Sequence, residues 1–183
     1  MSKKILTIIA ITALLATACT SNPNQLSPEK TEQMHTQIQE ANETLSQEES
    51  TNEDRAKAYQ KLGISYQALG RYKKALRSYE EVLKLAPTDF VSLNNSADIY
   101  EQQGDFERAE KFILVLYVYN KDNQAVVKNA IRIHVENGST EQALSILEEY
   151  AASHKEPEDI QFISDQFIFI GSAEKPVTTP QAN

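Results

Sequence analysis

The sequence contains one thiol, Cys19, and three imidazoles, His35, His134 and His154. A cysteine can act as a nucleophile, a metal ligand, half of a disulfide or an acyl acceptor. A lone one has no partner for a disulfide within the chain and no second sulfur for a zinc or iron–sulfur site. The histidines are far apart in sequence, and neither an H-E-x-x-H spacing nor a Cys–His pair occurs. His134 is expected to be a helix-packing residue rather than a ligand. The paired carboxylates Glu80-Glu81 and Glu148-Glu149 are adjacent, so on a helix they point to different sides, which suits a solvated face better than acid/base work. No G-x-S-x-G and no Gly-rich phosphate loop is present, and five glycines leave few flexible loops. The expectation is a protein with no catalytic set, no metal site and no cofactor, not an enzyme in its own right.

Charge narrows the partners. Across 183 residues, 26 acidic side chains face 18 basic ones, a net charge of -8. Such a surface repels phosphate backbones, and no sequence cluster of five or more Lys and Arg offsets it, so nucleic acid is excluded as a partner.

Cys19 follows a segment unlike the rest of the chain. Lys3 and Lys4 form a charged start, Ile5 to Leu15 an apolar stretch diluted by Thr7 and Thr12, and Ala16-Thr17-Ala18 a run of small residues. This is the three-part anatomy of an export signal. Spanning a bilayer takes about 20 apolar residues, which this stretch lacks. Leu15-Ala16-Thr17-Ala18-Cys19 resembles the lipobox of bacterial lipoproteins, with Ala16 where that family usually has Leu. The resemblance implies removal of residues 1–18, lipidation of Cys19, and anchoring by acyl chains, each buried methylene contributing about 0.8 kcal/mol. Thr20 in second place, rather than the Asp that retains such proteins on the inner membrane, implies an outer-membrane anchor facing the periplasm. Ala16-Thr17-Ala18 also reads as an A-x-A site for ordinary cleavage, which would release the chain with a free Cys19.

The elements that follow begin with residues 19–28, polar and rich in Asn and Pro, which read as a flexible tether. Residues 29–53 hold a helix with one apolar stripe, Met34, Ile38, Ala41 and Leu45, and then a loop. Ser27-Pro28 supplies its N-cap and first helical residue. Beyond this the chain repeats. Gly70, Gly104 and Gly138 recur every 34 residues, and so do Ala75, Ala109 and Ala143. In residues 56–89, Tyr59, Leu62, Gly63 and Tyr66 fall on one helical face, Gly70 ends that helix, and Pro87 stops a second one. Residues 90–123 and 124–157 align without insertions, although Lys121 replaces the proline and Ile131 occupies a usually small position. Position by position these units resemble the tetratricopeptide repeat. That implies an all-α fold, a solenoid of three helical hairpins, closed here by a capping helix over 158–171 and followed by a disordered tail, 172–183.

One stretch runs against this plan in isolation. Residues 112–119, FILVLYVY, look like a buried strand, but Ala109, Ile113 and Leu116 hold the repeat positions of Ala75, Tyr79 and Val82, so a second helix is expected. Either neighbouring repeats cover its whole circumference, or part of it is an exposed docking patch. In the last helix Ile160, Ile163, Phe167 and Ile170 form an inner stripe, which leaves Phe162 and Phe169 outside it. Those two rings either pack near Leu147 and Tyr150 or form an exposed patch for a partner.

The repeat resemblance also implies a partner-binding groove lined by first helices. Its positions here are Lys57, Gln60 and Ile64; Asn94, Asn95 and Asp98; and Lys128, Asn129 and Arg132. Repeats that clamp a terminal carboxylate carry a Lys and Arg set with two Asn, of which only Asn95 matches, so a polar ligand of mixed charge is expected instead. In order and size the chain resembles pilotin-type repeat lipoproteins of type IV pilus biogenesis, and also adaptors of cell-wall hydrolases. Both imply a scaffold for other envelope proteins, with the membrane reached through Cys19 and the oligomeric state left open.

Overall fold

The computed structural model describes residues 26–173, in which every regular element is an α-helix. The eight helices are α1 (Pro28–Ser46), α2 (Asn52–Ala68), α3 (Tyr72–Leu85), α4 (Phe90–Gln102), α5 (Phe106–Tyr119), α6 (Gln124–Glu136), α7 (Thr140–Ser153) and α8 (Pro157–Ala173). Cys19 and the segment before it lie outside the described residues, as does most of the tail. None of the described helices is long and apolar enough to cross a membrane.

Helix boundaries follow local chemistry. Ser27 accepts from the Lys30 amide and Pro28 opens α1. Thr51 and Asp54 form a reciprocal capping box, which starts α2 at Asn52, four residues before the repeat boundary at 56. Asp89, Asp105 and Asn123 cap α4, α5 and α6 through their side-chain oxygens. Each hairpin then turns on a glycine with positive φ: 68° at Gly70, 72° at Gly104 and 76° at Gly138.

The helices pair as α2 with α3, α4 with α5 and α6 with α7, while α1 closes one end on α2 and α8 closes the other on α7 and α6. Within a pair, small residues set the approach. Ala75, Ala109 and Ala143 are all fully buried where first and second helices cross. The main core runs through the last two repeats, from Leu93 and Ile113 to Leu147 and Ile170. A smaller cluster, Ala41, Ala58 and Leu62, seats α1 with Ile38 and Leu45 of its stripe. Full burial of each large side chain contributes about 1.5 to 3 kcal/mol, so the stack rather than any single hairpin supplies the stability.

Residues 112–119 are helical, as the register requires, but they are covered on one side only. Ile113, Leu116 and Tyr117 are buried, whereas Leu114, Val118 and Tyr119 are 38%, 58% and 67% exposed. Coverage of the whole circumference is therefore not what the described neighbours achieve: among the described residues, no helix lies beyond the outer face of α5.

The terminal helix also differs from expectation. It runs through Gly171 to Ala173, because Gly171 keeps helical geometry instead of capping. Its inward face is rotated relative to the stripe read from spacing. Phe162 meets the Tyr150 ring edge-on, with centroids 5.3 Å apart, and Phe169 packs against the same core. Phe167 is 44% exposed and Ile168 69% exposed. Phe162 and Phe169 are thus half-buried packing residues and not an exposed patch. Ile170 and the buried Gln166 share the inner side, and the side chain of Ile160 lies outside what is described.

Candidate functional site

The first helices α2, α4 and α6 carry all nine expected groove residues. Ile64, Asp98 and Arg132 hold one repeat position, and Gln60, Asn94 and Lys128 hold another. The first helices lie side by side, α2 touching α4 and α6 touching the cap α8. An apolar, an acidic and a basic side chain therefore follow one another along the stack.

Several of these side chains are committed to holding the repeats together. Gln60 donates from Nε2 to the Asp89 carboxylate at 3.1 and 3.3 Å, and Asp89 in turn accepts from the Ser92 amide at the start of α4. Asn95 donates to the Tyr79 hydroxyl at 3.0 Å, which itself donates to Gln67 at 2.8 Å. Burial pushes the Tyr79 phenol up to about 12, so it stays a protonated donor at any physiological pH. Arg132 forms a part-buried ion pair with Glu101, linking α6 to α4. Burial raises the Asp98 carboxyl, opposed by the positive charge of Arg132. Spacing alone had given no sign of these ties.

The remaining positions are free for a ligand. Ile64 is 42% exposed, a large apolar side chain with water on one side. Lys128 is exposed, and Lys57 is too, with only a surface pair to Glu53 at 2.6 Å that contributes little. Asn94 and Asn129 are half-buried. The face thus combines one apolar contact, two exposed cations and two amides above a cross-linked floor, a surface for an extended polar segment.

No catalytic arrangement is built from the described residues. His134 is 1% exposed, its Nδ1 lying 3.0 Å from Glu110 Oε1 without the alignment of a hydrogen bond. Burial pushes its imidazole down, and the Glu110 charge pulls the other way. His154 stacks on Tyr150, centroids 3.9 Å apart, and His35 is on the exposed side of α1. Among the described residues, no three of His, Cys, Asp and Glu gather where a metal ion could be held.

Family models for the tetratricopeptide repeat match residues 56–89 and 78–111. Together they cover the first repeat and much of the second. No curated protein sequence matches the chain. Among solved structures, one titled "MamA RS-1 ArsTM double mutant" superposes with a TM-score of 0.51 at 14% identity, over 81% of this chain and 97% of that one. At that identity the likeness speaks for the fold alone. Repeats of this kind are typically non-catalytic scaffolds that bind proteins. The chain carries tetratricopeptide repeats, and its all-helical stack is a solenoid of their kind.

Proposed function

We propose that this protein is a lipid-anchored scaffold of the bacterial envelope, holding a partner protein along the face formed by α2, α4 and α6. The observation that carries the docking part is the set left open on this face, exposed Lys57, Ile64 and Lys128 with half-buried Asn94 and Asn129, on helices whose relative positions are fixed by Gln60–Asp89 and Arg132–Glu101. A rigid surface limits the ordering cost of binding an extended segment. The anchoring part rests on the sequence around Cys19: with residues 1–18 removed and acyl chains on the thiol, the tether before Pro28 would place the repeats on the periplasmic side of the outer membrane. Assembly of a pilus or secretin is one role that the order and size of the segments suit. Adaptation of cell-wall hydrolases, or a non-catalytic place in an envelope enzyme complex, would use the same surface.

Two measurements test it. Mass spectrometry of the mature N-terminus is expected to find acylated Cys19 as the first residue; an intact Met1 or an unmodified Cys19 overturns the anchor. A photo-crosslinking amino acid at Asn94 or Lys128, activated in intact cells, is expected to capture one envelope protein. The same probe at Glu29, on the exposed start of α1, serves as the control. Equal capture from both positions removes the docking face from the proposal.

A further inference from the structure

The second helices make a different surface. α3 and α5 both lean on α4 but share no packed interface of their own, which leaves a cleft of about 530 Å3 between them. Its floor is apolar and aromatic. Tyr100 of α4 stacks on Phe112 of α5, with centroids 5.6 Å apart and planes within 17°, and Leu76 and Leu83 line the α3 side. The buried Ser96 leaves room at the bottom that a larger side chain would fill.

The rim is basic. Lys73 and Arg77 come from α3 and Arg108 from α5. Arg108 is held over the Tyr100 ring, 4.7 Å from its centroid, while its Nε donates to Asp105 at 2.6 Å. Among the described residues, neither Lys73 nor Arg77 has an ion-pair partner. A second depression shares Lys73 and Gln103 with the cleft and adds Arg71 and Lys74. Five cations therefore gather on one side of a chain whose net charge is -8; Arg108 is offset by its ion pair with Asp105, and Glu80 is the one carboxylate among the described residues lining the cleft. In the sequence, four of these cations fall within residues 71–77, and folding adds the fifth from the next repeat.

These cations are exposed, so together they set up a local positive field beside the aromatic floor that attracts anions, and at such a rim carboxylates bind through charge-assisted bonds. The concave shape selects among anions. A flat bilayer could touch the rim cations but could not reach Tyr100 and Phe112, and the acidic remainder of the chain would be repelled by an anionic surface. A bare inorganic anion would leave the apolar floor unfilled. We propose that this cleft binds an acidic peptide segment of a partner protein, its carboxylates on Lys73, Arg77 and Arg108 and a large apolar side chain on the Tyr100–Phe112 floor. This site is independent of the face formed by α2, α4 and α6, so one scaffold could hold two segments at once.

The test uses the full chain in neutral detergent and a fluorescein-labelled peptide, Ser-Asp-Glu-Phe-Leu-Asp-Glu-Ser, followed by anisotropy. Saturable binding is expected, weakened at least tenfold in the double variant K73E/R77E, whose changes are on exposed positions and should leave the helical melt unchanged. Replacing the central Phe-Leu of the peptide by Ser-Ser should weaken binding at least fivefold. The proposal is overturned if binding does not saturate, if the double variant binds equally, or if the Ser-Ser peptide binds as well as the parent. Displacement of the probe by dioctanoyl phosphatidylglycerol or by sodium phosphate at lower concentration than by unlabelled peptide also overturns it, in favour of a headgroup or a simple anion.

Discussion

Gly63 and Tyr79 are fitted to each other: a Cβ built on Gly63 would stand 2.3 Å from Cε1 of the fully buried Tyr79 ring. The same pair of positions in the next repeats holds Ala97 with Ile113 and Ile131 with Leu147. As the first residue grows, the second gives up its ring, so each hairpin closes with a different division of one volume.

Gly63→Ala is expected to destabilise the fold by about 2 to 3 kcal/mol, because the added methyl forces a shift of a fully buried ring whose hydroxyl is tied to Gln67 and Asn95. Adding Tyr79→Ile should recover part of the packing loss, as the Ala97–Ile113 pair already shows a working combination. Denaturant melts of the two single variants and the double variant check this, and simple additivity would contradict it.

His134 makes stability depend on pH. Its buried imidazole has a folded-state pKa below the ordinary 6.5, so the unfolded chain binds a proton more readily. Its contribution is complete above pH 6.5 and is lost as pH falls through the folded pKa, with a slope of up to about 1.4 kcal/mol per pH unit. The charged or polar neighbours that face it are Glu110 on α5 and, through that carboxylate, Asn137. His134→Phe should flatten the melting profile between pH 7 and 5; an equally steep profile in the variant would assign the loss to other groups.

Glu149 on α7 is shared by two residues at the end of repeat two. Tyr117 donates to it at 2.5 Å, and Lys121, where a proline was expected, forms an ion pair with it. The Lys121 ammonium, then the Tyr117 hydroxyl, hold the Glu149 carboxyl below the usual range. Tyr117→Phe should cost about 1 kcal/mol, since it removes a hydrogen bond to a charged acceptor beside a buried ring. Lys121→Ala should cost less than about 0.5 kcal/mol, because both partners of that pair are exposed. Urea melts at low salt should resolve the difference.

The terminal helix gives a paired test. Phe162→Ala should lower stability by about 2 kcal/mol, less than a fully buried ring would lose. Phe167→Ser should change it by no more than about 0.5 kcal/mol. Reversed magnitudes in guanidinium melts would mean that α8 is rotated in solution.

The 34-residue recurrence of Gly70, Gly104 and Gly138 was sufficient to set the helical hairpins, because a positive φ is open to glycine and nearly closed to other residues, and because the apolar positions between them keep a helical period. The helical state of residues 112–119 followed from that register even though local composition pointed to a strand. The resemblance to the tetratricopeptide repeat singled out the nine candidate residues, and the structure has them all on first helices. What the sequence could not reveal is which of them are already engaged. Gln60 with Asp89, the cap of α4, and Asn95 with Tyr79 and Arg132 with Glu101 across repeats are contacts between one hairpin and the next, fixed only when the hairpins stack. The same holds for the face that α8 buries, where the seat offered by Tyr150 and the α7 surface outweighed a spacing that favoured Phe167. It holds again for the basic cleft, whose fifth cation comes from Arg108, 31 residues beyond Arg77: a sequence shows charge along the chain, whereas the field at a surface depends on which helices fold side by side.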